Sequence, residues 1–262
     1  MDAWQPLDQR TFLADLGKGG FALAVTSSPP ARASADSAGL SRSQGSGGST
    51  GQTAAASSDP PGGAAGSAVT WERVNLGFVS AYILVRGGEA AIVDTGVEGS
   101  ADEIEASLAK VGLGWAAVGH LVLTHHHRDH AGSAADVMDR APDVAGYAGA
   151  EDIPVISVPR PLTAVGDGDA VFGLRIVTTP GHTAGSISVL DAAAGLLVAG
   201  DAMRTDDGKP VLPPPQATVD MDEAKRSIVK LGGLAFETLL VGHGDPIESG
   251  AGAAVAELAA QQ

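Results

Sequence analysis

The hydrophobic pattern of the chain changes sharply near residue 69. From there on, short apolar runs separated by turn residues predict β-strands, and apolar residues that recur every three or four positions predict helices. Strands are predicted over residues 69–74, 80–85, 90–93, 121–123, 174–178, 186–190, 196–199 and 239–241. Because strands and helices intermix in both halves, the pattern favours an α/β (α+β) fold in which two sheets pack together with helices outside.

Four helices are predicted between and after these strands. Ser100 and Glu103 have the spacing of a capping box, which favours the start of a helix there. A second helix is predicted over about 129–140, a third after Asp220, and a last one in the alanine-rich stretch at the end of the sequence. Residues 124–130 are therefore expected in a loop between a strand and a helix.

The first 68 residues differ in composition from the rest. Residues 1–35 contain a basic residue, a short apolar run and a small-residue patch in the order of a twin-arginine export signal, although Gln9 replaces the first arginine. They are equally compatible with a disordered tail, so export and a cytoplasmic location are alternatives. Residues 36–68 are dominated by Ser, Gly, Ala and Pro, which predicts a flexible linker. One folded domain is expected over residues 69–262.

Composition and net charge limit which metal ligands and which binding partners the protein can have. Cysteine is absent, so a metal ion would have to be held by histidine and carboxylate groups. The 31 acidic residues against 16 basic ones give a net charge of −15, which disfavours nucleic-acid binding. No apolar stretch reaches the roughly 20 residues of a membrane-spanning helix. The expected partner is a small molecule, with no nucleic acid and no integral membrane segment, and the sequence does not indicate an oligomeric state.

Four of the seven histidines lie between positions 125 and 130, directly after a predicted strand. In an extended segment, His125 and His127 can point toward one metal ion, and Asp129 and His130 can then face a second one beside it. Imidazole and carboxylate are the ligands that Zn²⁺ accepts when no thiolate is present. A histidine-rich run can also be an exposed patch, so a built metal site requires further donors.

Three further donors follow three other predicted strands. These are His182, Asp201 and His243. Loops that follow neighbouring strands can meet at one edge of a sheet, so the three side chains are expected to converge on the histidine cluster. Their placement makes an exposed patch the weaker explanation.

These motifs resemble those of the metallo-β-lactamase superfamily. Residues 124–130 (THHHRDH) match its H-x-H-x-D-H signature, and residues 179–186 (TPGHTAGS), 199–201 (AGD) and 241–244 (VGHG) look like its later motifs. The resemblance covers about residues 70–262, and it implies the four-layer αββα sandwich of that family.

The resemblance also implies roles for individual residues. It divides seven metal ligands into two groups with a bridge between them: His125, His127 and His182; Asp129, His130 and His243; and Asp201 as the bridge. Asp94 matches an aspartate that orients a ligand imidazole from behind. His120 and His126 have no matching ligand role and are expected to be structural or exposed. Two Zn²⁺ ions are the expected cofactors, with Fe or Mn as alternatives.

The expected activity is metal-dependent hydrolysis. Two adjacent metal ions can share a hydroxide that attacks a carbonyl carbon, and Asp129 is the expected catalytic residue that passes a proton to the leaving atom. Only 19 residues follow His243, so the helical C-terminal domain of classical glyoxalase II is not expected. The β-lactamases of the superfamily that these motifs resemble generally lack the bridging aspartate, so Asp201 disfavours a β-lactamase. Esters, lactones and thioesters remain as expected substrates.

Two alternative functions stay open at this point. One is a mononuclear iron oxygenase that resembles persulfide dioxygenases, with His125, His182 and Asp201 as its metal ligands. The other is a non-catalytic metal-binding module. Residues 203–219 either shape the substrate pocket or form only a rigid connection.

Overall fold

The structure of the protein is a computed structural model that describes residues 68–262. The predictions of an export signal or disordered tail over residues 1–35 and of a linker over residues 36–68 lie outside this range, apart from Ala68. All candidate site residues lie within it.

The first sheet has six strands, which neighbour one another in chain order. Their bounds are β1 Thr70–Asn75, β2 Ser80–Arg86, β3 Glu89–Val93, β4 Val118–Leu123, β5 Ala145–Gly149 and β6 Thr163–Val165. Strands β1, β2 and β3 pair antiparallel, whereas β3 to β6 run parallel. The parallel half places the ends of β3, β4 and β5 at one edge of the sheet.

The second sheet is formed by five strands from the later part of the chain. Their bounds are β7 Ala170–Val171, β8 Leu174–Thr178, β9 Ile187–Asp191, β10 Leu196–Gly200 and β13 Thr238–Val241. Their order is β13-β10-β9-β8-β7, in which only β10 and β13 are parallel neighbours. A separate hairpin, β11 Arg204–Asp206 with β12 Lys209–Val211, follows β10 in the chain.

Five α-helices occur in the described residues. Their bounds are α1 Ala101–Lys110, α2 Arg128–Ala131, α3 Ala134–Arg140, α4 Met221–Gly232 and α5 Ala251–Ala259. Within residues 68–262, no helix combines the length and the apolar character that crossing a bilayer requires.

Three apolar layers separate the helices and sheets. Alternate strand residues face opposite sides of a sheet, so Ile83 packs toward the helices with Ile104 of α1, whereas Leu84 packs between the sheets with Ile176. A third layer joins α4 and α5 to the second sheet around Leu239. Two sheets with helices on both outer sides form the predicted four-layer αββα sandwich.

The prediction of one continuous helix over residues 129–140 is wrong, because the structure contains two helices there, α2 and α3. Gly132 N–H donates to the Gly96 carbonyl at 2.9 Å, and Ser133 N–H donates to Thr95 Oγ1 at 3.2 Å. These bonds go to the loop after β3, and they interrupt the helical hydrogen bonding between α2 and α3.

The capping box predicted at Ser100 and Glu103 does not form, although helix α1 begins where it was predicted. The Ser100 side chain makes no capping hydrogen bond. Instead, Ser100 N–H donates to Ser133 Oγ at 2.8 Å. A tertiary contact between the starts of α1 and α3 thus replaces a local one.

Several short strands were not predicted, namely β5, β6, β7, β11 and β12. Strand β5 reads AGYAG, and its small residues carry no strand preference of their own. It is a strand because β4 and β6 pair with it on both sides. Long-range pairing therefore supplies what the local sequence lacks.

An ion pair joins the two sheets at the ends of β2 and β9. Arg86 Nη2 lies 2.6 Å from Asp191 Oδ2, and both side chains are buried. The same carboxylate accepts backbone N–H bonds from Val69, Ala193 and Ala194. Burial opposes ionisation of Asp191, but these amide bonds and Arg86 outweigh it and lower the pKa of the carboxyl.

Replacement of this carboxylate is expected to destabilise the fold. Asp191→Asn removes the carboxylate charge that lies beside the buried Arg86 guanidinium and should lower the free energy of unfolding by about 3 to 5 kcal/mol at pH 7. Because the folded-state pKa is depressed, the stabilisation is complete above the unfolded-state value of about 3.9 and disappears as the pH falls through the folded-state pKa. Urea unfolding at pH 7 and at pH 3 measures both effects.

The matched control is Asp143→Asn, which removes an exposed carboxylate. It should leave the free energy of unfolding within about 0.5 kcal/mol of the wild type. If Asp191→Asn and Asp143→Asn were equally stable at pH 7, the ion pair would have no role in joining the sheets.

Candidate metal centre

The predicted donors lie in loops at one edge of the sandwich. Asp94 follows β3 and His125 follows β4, while Asp201 and His243 follow β10 and β13. His182 follows β8, which runs in the same direction as β10 because both pair antiparallel with β9. The candidate donors therefore lie at the carboxyl ends of these strands, which is where α/β proteins commonly place their ligands.

His125, His127 and His182 form a first donor group. His125 Nε2 lies 3.1 Å from His127 Nδ1, and His182 Nε2 lies 2.9 Å from the same atom. His125 and His182 are buried, whereas His127 is partly exposed. The structure thus brings together the three imidazoles that the sequence assigned to one metal ion.

Asp129, His130 and His243 form a second donor group. His243 Nε2 lies 3.3 Å from Asp129 Oδ2 and 3.4 Å from His130 Nε2. Asp201 lies between the two groups, because its Oδ2 is 3.2 Å from His243 Nε2 and 3.4 Å from His182 Nε2. A carboxylate in this position can contact a cation on either side.

Asp94 supports both donor groups from behind, through direct contact with His130 and through Thr124 for His125. Its carboxylate accepts hydrogen bonds from Thr124 N–H at 2.7 Å, from Thr124 O–H at 2.7 Å and from His130 Nδ1–H at 2.8 Å. Because the Thr124 hydroxyl donates its single proton to Asp94, its oxygen accepts from His125 Nδ1–H at 3.0 Å. In the neutral imidazoles of His125 and His130, Nε2 therefore presents a lone pair to the centre.

A backbone carbonyl orients His243 in the same way. His243 Nδ1–H donates to the Phe78 carbonyl at 2.7 Å, which leaves Nε2 facing Asp129 and Asp201. The Phe78 ring is 63% exposed and stacks on the imidazole, with 6.1 Å between ring centroids. The sequence did not indicate Phe78, because its role depends on its backbone oxygen.

The donor set fits divalent cations. Lone pairs that converge this closely repel one another unless a cation or protons stand among them. In a tetrahedral site with Zn–N bonds of about 2.0 to 2.1 Å, the ligand nitrogens stand about 3.3 Å apart, and the nitrogen separations here run from 2.9 to 3.4 Å. Asp201 Oδ1 is also buried with no hydrogen-bond partner among the described residues.

Burial keeps the first donor group neutral. Loss of hydration lowers the pKa of His125 well below its usual range, lowers the pKa of His127, and lowers the pKa of His182 to about 4. Neutral imidazole is the form that binds a metal ion. This group is therefore ready to bind a cation at neutral pH without losing a proton.

The second donor group holds protons in the metal-free protein. Burial disfavours a charged His130, but Asp201 and Asp94 outweigh it and raise the pKa of His130 well above its usual range. Hydrogen bonds to Asp129 and Asp201 likewise outweigh burial and raise the pKa of His243 to about 10. Burial also opposes ionisation of Asp201, but His130 holds the pKa of that carboxyl well below its usual range. A cation that binds here displaces these protons.

Gly242 allows His130 and Asp201 to lie directly against the backbone beside His243. A Cβ at this position would lie 2.3 Å from Asp201 Oδ1 and 2.4 Å from His130 Cε1. Any side chain would therefore displace one of the two donors. This close approach explains the glycine that precedes His243.

The segment of residues 203–219 is hydrogen-bonded, near each of its two ends, to the backbone of a candidate metal ligand. Thr205 N–H donates to the His243 carbonyl at 3.1 Å, and Val219 N–H donates to the His182 carbonyl at 3.2 Å. The segment, which contains the β11–β12 hairpin, thus connects the two loops that carry these histidines. Both anchored ends of the segment therefore lie beside loops that carry candidate metal ligands.

Neither of the two remaining histidines belongs to a donor group. His120 lies near the start of β4 and packs on the rings of Tyr147 and Phe172, at 5.9 and 5.3 Å between centroids. His126 N–H donates to Asp152 Oδ2 at 2.9 Å. Asp152 follows the unpredicted strand β5, so the sequence did not indicate it as a site residue.

Comparison with known proteins identifies relatives of this chain. Residues 74–243 match the family profile of the metallo-beta-lactamase superfamily. The uncharacterised protein YobT of Bacillus subtilis (strain 168) is 28% identical over 201 residues, which are 65% of this chain and 85% of that protein. A hydroxyacylglutathione hydrolase of Cupriavidus metallidurans is 36% identical over 131 residues, 45% of this chain and 46% of the enzyme. The match thus spans less than half of that enzyme.

Solved structures share the fold. A metallo-beta-lactamase family protein from Thermus thermophilus superposes with a TM-score of 0.59 at 24% identity, over 74% of this chain and 78% of that one. A subclass B3 metallo-beta-lactamase of Bradyrhizobium japonicum gives 0.57 at 19% identity, over 74% and 88%. Together with the profile match over residues 74–243, these findings show that the chain belongs to the metallo-beta-lactamase superfamily of metal-binding hydrolases.

Proposed function

We propose that the protein hydrolyses an ester, lactone or thioester of a small molecule with two divalent cations, and that the metal is Zn²⁺. The first donor group would hold one cation and the second donor group the other, with Asp201 between them. Fe and Mn are alternatives, because imidazole and carboxylate ligands also suit these metals.

The orientation of the histidine nitrogens carries this proposal. Hydrogen bonds behind His125, His130 and His243 keep the proton on Nδ1 and turn Nε2 toward the centre. Outer hydrogen bonds of this kind accompany built metal sites, because they set the tautomer and the ring orientation of the ligand. An exposed histidine patch does not require them.

A pair of bound cations would supply a hydroxide nucleophile near neutral pH and polarise the carbonyl oxygen of the substrate. Asp129 is the residue proposed to move a proton to the leaving atom. Its side chain is 30% exposed, and its Oδ2 lies 3.3 Å from His243 Nε2. Asp201 is only 8% exposed and has less access to a substrate.

The proposed substrate class rests on relatives and on charge. One relative is named a hydroxyacylglutathione hydrolase, which supports an acyl compound as substrate without fixing the group to which the acyl is attached. The net charge of −15 disfavours nucleic acids. We therefore propose a small acyl compound.

Removal of one imidazole from the second donor group tests the two-metal site. His243→Ala is expected to lower the bound Zn²⁺ from about two ions per chain to about one. It should also lower kcat/KM for p-nitrophenyl acetate by at least about 100-fold, because the proposed hydrolysis would use both cations. Elemental analysis of the dialysed protein and an ester assay measure these effects.

The matched control is His120→Gln, which removes an imidazole outside both donor groups and should keep two ions and the wild-type rate. One ion per chain in both the wild type and His243→Ala would contradict the two-metal proposal. A single iron with oxygen uptake on a persulfide would instead support the mononuclear oxygenase. Bound metal without any turnover would support the non-catalytic module.

Asp94→Asn tests the orientation of His130. Asp94 has a φ of 62°, a conformation that Asn tolerates as well as Asp, so the change affects hydrogen bonding more than the backbone. The amide NH₂ introduced by this substitution would face one of the N–H or O–H groups that donate to Asp94 in the wild type. The affinity for Zn²⁺ should therefore fall about 10- to 100-fold. Competition with a chromophoric chelator measures it, with the exposed Asp143→Asn as control. Equal affinity in Asp94→Asn and the wild type would exclude this role.

A further inference from the structure

Asp152 is a buried carboxylate that contacts two loops of the site. It is 2% exposed. Its Oδ2 accepts from His126 N–H at 2.9 Å and from Thr183 O–H at 2.7 Å, and its Oδ1 accepts from Gly185 N–H at 2.9 Å. Both oxygens of a single side chain thus bind backbone or hydroxyl donors, and none of these bonds is needed to form a strand or helix.

Asp152 binds the backbone of His126, which lies in the loop after β4 between two candidate metal ligands. His126 lies between His125 and His127, and its amide bond to Asp152 fixes the backbone at this point. The His126 ring nitrogen Nδ1 lies 3.0 Å from Asp152 Oδ2 but outside hydrogen-bonding geometry. The backbone contact therefore carries the interaction, and it places His125 and His127 on either side of an anchored residue.

On the second sheet, Asp152 orders the residues that follow His182. Because the Thr183 hydroxyl donates to Asp152, its oxygen accepts from the Ser186 hydroxyl at 2.7 Å. Thr183 N–H in turn donates to Ser186 Oγ at 3.0 Å. The carboxylate thus sets the direction of a short chain of hydrogen bonds within the His182 loop.

Close backbone packing holds the loop after β5 against the His182 loop. A Cβ on Gly185 would lie 2.6 Å from Asp152 N and 2.7 Å from Asp152 Oδ1, and a Cβ on Gly149 would lie 2.0 Å from the Gly185 carbonyl oxygen. Only glycine fits at these two positions. The loop after β5 and the His182 loop therefore approach each other closely, which places Asp152 against Gly185.

We infer that Asp152 is a positioning residue for the first donor group. It holds the His125–His127 segment of the first sheet against the His182 loop of the second sheet, so that three imidazoles from two sheets can bind one cation. An ionised carboxylate accepts at every lone pair, whereas an amide would turn an NH₂ group toward one of the three donors. The inference rests on the ligand set proposed above.

Asp152→Asn tests the inference directly, with the exposed neighbour Glu151→Gln as the matched control. Asp152→Asn should weaken Zn²⁺ binding by about 10- to 100-fold, as measured by competition with a chromophoric chelator, and Glu151→Gln should bind as the wild type does. Because the ligands themselves are intact, excess Zn²⁺ should restore ester hydrolysis in Asp152→Asn. Urea unfolding of the metal-free proteins shows whether both variants fold.

Thr183 provides a second pair of variants that keeps the test decisive if Asp152→Asn does not fold. Thr183→Val removes the hydroxyl that donates to Asp152, and Thr183→Ser keeps it. Weaker Zn²⁺ binding in Thr183→Val, with wild-type binding in Thr183→Ser, would support the role of Asp152.

The outcomes separate this inference from the proposed function. If the wild type bound no metal ion, the proposed ligand set would fail, and the inference with it. If the wild type bound Zn²⁺ and both Asp152→Asn and Thr183→Val bound it equally well, only the inference about Asp152 would be overturned. Loss of metal-free stability at unchanged Zn²⁺ affinity would likewise overturn it, because it would show a purely structural role.

Discussion

The site depends on a buried negative charge. Asp201 is 8% exposed and lies within 3.4 Å of imidazole nitrogens from both donor groups. A carboxylate removed from water needs hydrogen-bond donors or positive charge beside it, and Asp201 Oδ1 has no hydrogen-bond partner among the described residues. Protons on His130 and His243 provide that charge in the metal-free protein, and a bound cation can provide it in their place. Other side chains around the site hold this carboxylate and the histidines beside it in position.

Two other aspartates act from outside the donor groups. Asp94 orients His130 directly and His125 through Thr124, while Asp152 joins the loops that carry the first donor group. Both follow strands of the parallel half of the first sheet. Hydrogen bonds from these two aspartates thus hold the candidate ligands in position close to the ends of strands. A precise metal geometry needs such support.

The rest of the sandwich provides the stable frame. Three apolar layers bury the sheets and helices, and the Arg86–Asp191 pair joins the two sheets at the ends of their strands that lie away from the donors. This ion pair lies outside the loops that carry the converging donors. Functional groups are commonly placed on loops that a rigid scaffold positions in this way.

Apolar periodicity and the histidine motifs are local patterns, so the sequence predicted the two-sheet fold and the seven candidate donors. The candidate role of Asp94 came from the resemblance to the superfamily. The break at Gly132, the strand β5 and the contributions of Asp152 and Phe78 became visible only in the folded protein. Asp152 is 31 positions from Thr183, and Phe78 is 165 positions from His243. Such contacts use backbone groups or an ordinary aspartate, and these acquire a role only when folding brings distant segments together.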